Sequence, residues 1–327
     1  MITVMPSEQG DKHEQIYYAP FSYRSNFLHA WIWNGAIMSF ILFARAHGVD
    51  IDPNKLFPSD RIRRCGTVEK PRSGNGAYFW DGQRGWVMDW SGEARVIWFE
   101  DPNAIPWTDE QKREWMDKRR AANASRDTEY DKAAQKAYTT LNAAKLAKHD
   151  YLHLKGFPDL EGLVLEDSLL VPMRNVVTNN LQGYQRIYWD AENRKWEKKM
   201  LLGMRAKNAV MFMGDRKASE VWLCEGYATG LSIHAALRSV GLKASVVVCF
   251  SASNMVAVAD QIKGDRYIFA DNDESKTGEE FAGKTGLPWT MADTVGFDAN
   301  DLHKSNGLFA LVGKIMGLRN KVLLQAA

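Results

Sequence analysis

Apolar and polar positions change rhythm several times along the chain, and each change predicts a different element. Phe27 to Phe43 reads FLHAWIWNGAIMSFILF, nearly continuous apolar sequence of about the length of a membrane span. His29, Asn34, Gly35 and Ser39 interrupt it, and Arg24 and Arg45 flank it. The expected element is a buried core helix that stops at Gly48, with a partner-binding helix and a membrane span as alternatives. Asp52-Pro53-Asn54 marks a loop. Residues 61–100 hold short aromatic runs broken by glycine and aspartate, GAYFWDGQRGWVMDWSGEARVIWF. Asp81-Gly82 and Ser91-Gly92 are turn signals between these runs, which predicts a small antiparallel sheet. Residues 108–148 are charged and alanine-rich, with sparse apolar positions at Trp115, Tyr130, Tyr138, Leu141 and Leu146. Thr108 and Gln111 have the spacing of a capping box. One long solvated connecting helix is expected there, with a DNA-contacting helix as the alternative.

Strands are expected at Gly162–Val171, Gly183–Trp189 and Ala209–Met213, with a basic stretch, RKWEKKMLLGMRAK, between the last two. From Glu220 strand and helix patterns alternate. Strand Val221–Cys224 leads to helix Ala228–Val240, and strand Ser245–Phe250 to helix Met255–Ile262. Strand Arg266–Ala270 leads to a helix near Glu279–Lys284, and strand Trp289–Ala292 closes the series. Apolar strands with helical crossovers predict a parallel sheet covered on both faces. The expected order is an N-terminal α+β region over 1–107, a connecting helix over 108–150, a basic strand-rich subdomain over 151–217 and an α/β domain with a C-terminal helix over 218–327.

Composition changes this picture little. Charged residues are 25% and hydrophobic ones 45% of the chain, an ordinary globular balance, and the net charge of +2 is too small to point to a partner. Tryptophan is abundant and is expected mainly in cores. Cys65, Cys224 and Cys249 form no metal-ligand pair, so a zinc ribbon is not expected. Three sparse cysteines fit a reducing cytoplasm. The polar first twenty residues predict no signal peptide.

The candidate chemistry lies at strand ends. Glu225 ends VWLCEG, Asp271 and Asp273 end RYIFADND, and Asp298 and Asp301 lie in the loop GFDANDL after the last strand. Ligands of open parallel sheets bind at the carboxyl edge, where neighbouring strands bring distant residues together. Between Asp265 and Asp301 nine acidic residues face three basic ones. Clustered carboxylates repel unless a cation sits among them, and magnesium prefers oxygen ligands. Each acid taken singly can equally cap a helix or turn.

LCEGYATGLS followed by FADND resembles the TOPRIM signature of primases, topoisomerases and related nucleases. EGYATGLSIHAAL, CFSASNMVAVA and FADND with GFDANDL are similar to the TOPRIM domain of phage- and plasmid-type primases, and the aromatic stretch before them resembles the region preceding it. The likeness covers roughly residues 40–315 and is most specific in the C-terminal motifs. It implies a TOPRIM sheet with flanking helices, Mg²⁺ or Mn²⁺ as cofactor, and synthesis of primers on single-stranded DNA from nucleoside triphosphates. By the same resemblance Glu225 acts in acid/base chemistry or metal coordination, Asp271 and Asp273 are the metal-binding pair, and Asp298 and Asp301 are further acids near the metals. The chain departs from classical primases in lacking a zinc motif. With little sequence after the motifs, any replicative helicase is expected on a separate chain. The setting implied is the cytoplasm of a bacterial host, away from membranes.

Seven lysines and arginines between Arg186 and Lys207 face three acids. Arg186, Arg194, Lys195, Lys198, Lys199, Arg205 and Lys207 are therefore candidates for template or nucleotide contact, with Trp189 and Trp196 interleaved for stacking. Residues 61–72, RIRRCGTVEKPR, form a second basic run. A primase-like polymerase is the expected function. A metal-dependent TOPRIM nuclease and a non-catalytic single-strand-binding accessory protein are the alternatives.

Overall fold

Residues 39–46 are helical (α1), and their apolar positions Phe40, Ile41 and Ala44 turn inward against a small sheet. The computed structural model of the chain describes residues 39–59, 61–90, 95–99 and 108–326. Most of the apolar Phe27–Phe43 stretch, the Ser91-Gly92 turn and the Gln111 side chain fall outside this set. The chain forms two units, Met1–Lys112 and Arg113–Ala327.

The first unit carries the antiparallel sheet expected from the aromatic runs. Its strands are β1 (Val49–Asp50), β2 (Arg63–Thr67), β3 (Gly76–Trp80), β4 (Gly85–Asp89) and β5 (Ile97–Phe99), paired in that order. Gly48, at φ +78°, ends α1 in the left-handed region that glycine favours. Tyr78, Trp80, Val87 and Phe99 point to one face and enclose Phe40. Phe40 stacks on Trp80 with ring centroids 4.5 Å apart. A Cβ on Gly85 would lie 2.4 Å from the Phe40 ring, so the bare backbone there is what admits the phenyl group.

α2 (Asp109–Ala143) starts in the last residues of the first unit and belongs mostly to the second; its Ala133 and Ala137 are buried while most of its surface is solvated. The helix ends earlier than its composition suggests. Lys145–Ala147 forms β6, paired with β7 (Gly162–Leu165), so ladder hydrogen bonds outweigh the helical preference of Ala-Lys-Leu-Ala. A short helix α3 (Asp150–Leu154) follows, capped by His149. The strand expected over Gly162–Val171 is in fact a hairpin. β7 turns at Glu166, φ 52°, into β8 (Ser168–Asn175). β9 (Leu181–Asp190), β10 (Lys195–Met200) and β11 (Ala209–Met213) complete this half, and the basic stretch is therefore an edge strand.

The alternating segment forms β12 (Glu220–Cys224), α4 (Tyr227–Ser239), β13 (Ala244–Val248), α5 (Ala252–Ala259), β14 (Asp265–Ala270), α6 (Thr277–Lys284) and β15 (Trp289–Met291). α7 (Ala299–Asn306), in a stretch that reads as loop in sequence, and α8 (Leu308–Ala326) follow. β12, β13, β14 and β15 are parallel. β11 joins β13 antiparallel and pairs with β8, so all the strands from β6 to β15 belong to one ten-stranded mixed sheet.

The continuous apolar runs have a direct cause. Trp222 and Cys224 point to a layer with Ile233 and Leu237 of α4 and Leu311 and Ile315 of α8. Val221 and Leu223 point to the opposite layer with Met255 and Val258 of α5 and Ala282 of α6. Both faces of each strand are covered, so alternation disappears. Gly230 lets α4 approach β13, since a Cβ there would meet Val248 at 2.6 Å. Arg319 of α8 pairs with the largely buried Glu220 carboxylate at 2.8 Å, and Trp222 donates to the same carboxylate at 3.0 Å. Removing Arg319 would leave the largely buried Glu220 with Trp222 as its remaining donor.

Candidate active site

β12 lies between β13 and β14, so the loops leaving β12 and β14 are neighbours at the carboxyl edge of the sheet. Leu223 pairs with Ile268, which places Glu225 two residues and Asp271 three residues past matched positions on adjacent strands. Two backbone bonds, from Cys249 N–H to the Cys224 carbonyl (2.8 Å) and from Phe250 N–H to the Glu225 carbonyl (2.9 Å), stitch the β13 loop alongside.

Each acid meets a different environment. Glu225 is half-buried, and burial and then the charge of Asp273 raise its pKa, against the pull of the Ala252 N–H at the start of α5 and of Lys198. Burial also opposes ionisation of Asp273, but the Ser275 hydroxyl and the N–H groups of Gly278, Thr277 and Ser275 outweigh it and hold the carboxyl below its ordinary range. Asp273 thus anchors the first turn of α6, accepting from Thr277 N at 3.2 Å and Gly278 N at 3.1 Å. Gly278 is required for this approach, because a Cβ would lie 2.1 Å from the Asp271 carbonyl oxygen. Asp298 caps α7, accepting from Asn300 N at 2.6 Å and Asp301 N at 2.9 Å, and takes the Thr229 hydroxyl at 2.9 Å. Asp301 completes the capping box by accepting from Asp298 N at 3.3 Å.

Asp271 has no such employment. Its Oδ1 is buried without a hydrogen-bond partner. Burial first, then the charges of Asp298 and Glu225, push its carboxyl up to about 7, with Lys198 opposing and Asp273 adding. A buried carboxylate oxygen with no donor, flanked by two further carboxylates, suits a cation. Among the described residues no three acidic, histidine or cysteine side chains converge into a complete ion site. Magnesium typically keeps its waters and takes one or two carboxylates plus substrate phosphates. Asp271 and Glu225 fit that smaller demand.

The basic candidates separate. Four strands lie between β10 and β12 in the sheet order. A flat sheet would put these strands about 24 Å apart, yet the Lys198 charge bears on both Glu225 and Asp271. The sheet therefore coils, bringing one face of its basic edge toward the acids. Lys198 also sits over the Tyr151 ring, 5.7 Å from its centroid. Lys199 projects to the opposite face, where it meets Tyr188, and its register partner Arg186 donates to Ser168 at 2.8 Å. Lys195 pairs with Glu197 at 2.7 Å, and Arg205 pairs with Asp127 of α2 and stacks on Tyr130. Arg194 occupies the β9–β10 turn at φ 50°. Lys207 lies between β10 and β11, its carbonyl accepting from Gln182 at 3.3 Å.

Tyr151, absent from the sequence-based candidates, lies at this site. Its hydroxyl is buried and unpartnered, and burial pushes its pKa up to about 12, with Lys155 opposing and Asp298 and Asp301 adding. It remains a proton donor throughout the neutral range. No pattern in HDYLHL marks it, because only the tertiary fold carries α3 to the acidic edge.

The motif spacing, the sheet order and the acidic edge now have one explanation. Residues 220–307 match the Toprim domain. Toprim domains occur in primases and nucleases, act in DNA metabolism and bind divalent metals such as Mg²⁺. A search among curated proteins finds no match to the chain. The matched segment begins at β12 and ends just after α7, so Glu225, Asp271, Asp273, Asp298 and Asp301 all lie within the Toprim domain. Lys198 and Tyr151 approach it from outside the matched residues. Among the described residues no helix is long and apolar enough to cross a membrane.

Proposed function

We propose that the chain is a primase-like enzyme that makes short primers on single-stranded DNA from nucleoside triphosphates, in phage or plasmid replication. The observation that carries this reading is Asp271, a buried carboxylate with an unpartnered oxygen, next to Glu225 and opposed by Lys198. Acids alone suit any metal-dependent phosphoryl chemistry. A cation reaching the same edge adds a place for a nucleotide's phosphates, which polymerisation requires.

Asp271 would hold the divalent ion, Mg²⁺ or Mn²⁺, with Glu225 beside it as the proton-transfer group. When bound, such an ion supplies positive charge to the triphosphate oxygens and favours ionisation of the primer hydroxyl. The remaining roles belong to the chain itself. Lys198 binds a phosphate oxygen of the incoming nucleotide. Glu225, whose pKa is raised by burial and by the charge of Asp273, exchanges a proton in the reaction. The Tyr151 hydroxyl donates to a phosphate oxygen. Asp273, Asp298 and Asp301 fix the first turns of α6 and α7 and add negative charge around Asp271. Arg186, Arg194, Lys195, Lys199, Arg205 and Lys207 serve the template on a surface away from the acids.

The test is incubation with single-stranded DNA, labelled triphosphates and Mg²⁺, with products sized on a gel. Triphosphate-dependent oligonucleotides are expected. Shortening of the template would identify a nuclease using the same acids, and binding without turnover would identify an accessory protein.

A further inference from the structure

The first unit has two unlike faces. Tyr78, Trp80, Val87 and Phe99 fill the inner one. The residues between them therefore point the other way. Phe79 pairs with Trp86 across β3 and β4, and Trp86 pairs with Trp98 across β4 and β5. Directly opposed residues share a face, so these three rings form a row across neighbouring strands. The Phe79 and Trp86 rings stack, with centroids 6.4 Å apart and planes 21° from parallel. Trp98 at the end of the row is 54% exposed, and Trp90, just beyond β4, is 45% exposed. Phe79 and Trp86 are half-buried and Ala77 and Met88 on the same face are buried, so the exposed area belongs to Trp98 and Trp90, and two exposed tryptophans on one sheet face indicate a ligand.

The chemistry of the ligand follows from charge. Arg64 lies on the same face, opposite Ala77 and Met88 in the ladder, with its guanidinium 5.0 Å above the Trp90 ring. From residue 61 to 99 seven lysines and arginines face four acids, Glu69, Asp81, Asp89 and Glu93. A row of flat rings with a guanidinium beside it matches an unpaired polynucleotide, whose bases stack and whose phosphates need neutralising. Duplex DNA hides its base faces and cannot use the rings. The row spans about 10 Å across three strands, and a sheet of exposed aromatics of this kind stacks two or three bases.

The geometry points to the outer face of β3, β4 and β5 as a stacking platform for single-stranded DNA, with Trp98 and Trp90 as base-contacting residues and Arg64 beside them. The platform lies outside the Toprim match and uses none of the carboxylates. It rests on the reading above only for the choice of DNA over RNA.

Fluorescence anisotropy of a labelled oligothymidylate against the full chain, over a range of salt concentrations, tests it. Trp98→Ala should weaken binding about tenfold or more, the usual scale for losing one stacked base, and leave the salt slope unchanged. Trp98→Phe should retain most of the affinity, and Arg64→Ala should lower the slope by about 0.7. Thermal melting of each variant checks that the fold is intact, as expected for an exposed side chain. Wild-type affinity in both Trp98→Ala and Trp90→Ala would overturn the proposal, as would equal affinity for duplex DNA or tighter binding of oligouridylate. If wild type makes no primers but Trp98-dependent binding persists, the platform stands and the primase reading falls.

Discussion

Asp271→Asn removes a buried carboxyl whose Oδ1 has no hydrogen-bond partner. In the folded chain this carboxyl is pushed up from 3.8 to about 7, chiefly by burial and then by Asp298 and Glu225. The sign follows from linkage. A folded-state pKa above the unfolded one means that the native protein binds the extra proton between them, so stability is highest below about pH 4. It declines as pH rises toward 7, where the group is forced to ionise. Each unit is worth about 1.4 kcal/mol. Two units separate pH 5 from the folded pKa, so the wild type should lose about 3 kcal/mol over that span through this group alone. The carboxamide does not titrate. Its N–H donors cost about 1–2 kcal/mol in so enclosed a place, but equally at every pH. Urea unfolding in EDTA, followed by tryptophan fluorescence at pH 5 and pH 8, should therefore show the stability gap moving in favour of the variant by about 3 kcal/mol. Added Mg²⁺ at pH 8 should stabilise the wild type and not the variant, because ion binding acts by mass action on the folded state. A gap that does not change with pH would refute the assignment of a buried, repelled carboxylate.

The other predictions concern its neighbours. Glu225→Gln should preserve nucleotide and DNA binding while cutting synthesis about a hundredfold or more, and saturating Mn²⁺ should not restore it if the lost function is proton transfer. Lys198→Glu should raise the KM for nucleotide and weaken turnover, whereas Lys199→Glu, on the opposite face, should change only the salt slope of DNA binding by about 0.7 per phosphate contact; equal effects of the two substitutions in a steady-state assay would contradict the face assignment. Gly278→Ala should destabilise by about 1–3 kcal/mol, since its methyl would strike the Asp271 carbonyl, and denaturant midpoints read this directly.

The Toprim half was legible because each of its signals has a local cause. Strands covered on both faces become unbroken apolar runs, as in VWLC and SVVV, and Glu225 and Asp271 sit one residue beyond β12 and β14. Asp298 and Asp301 show the limit of that reading. Their sequence announces a carboxylate pair, but only the bonds from Asn300, Asp301 and Thr229 reveal a helix cap, and α7 itself read as loop. Lys145–Ala147 has helical composition and became a strand because β7 offered it a ladder. Lys198 and Lys199 are adjacent letters whose difference is invisible until the pleat sends them to opposite faces. Tyr151 had no signal at all, since its place beside the acids depends on how the sheet coils. The aromatic run of the first unit announced an antiparallel sheet. Which of its rings face the core followed only from the position of Phe40.

The most direct test of the central claim is quantified incorporation of labelled ribonucleotide on single-stranded DNA over a Mg²⁺ titration, with wild type beside Asp271→Asn. The account predicts Mg²⁺-dependent oligonucleotides from the wild type and none from the variant at any Mg²⁺ concentration, with both proteins folded. Equal incorporation by the two proteins, or none by the wild type under any condition, would contradict it.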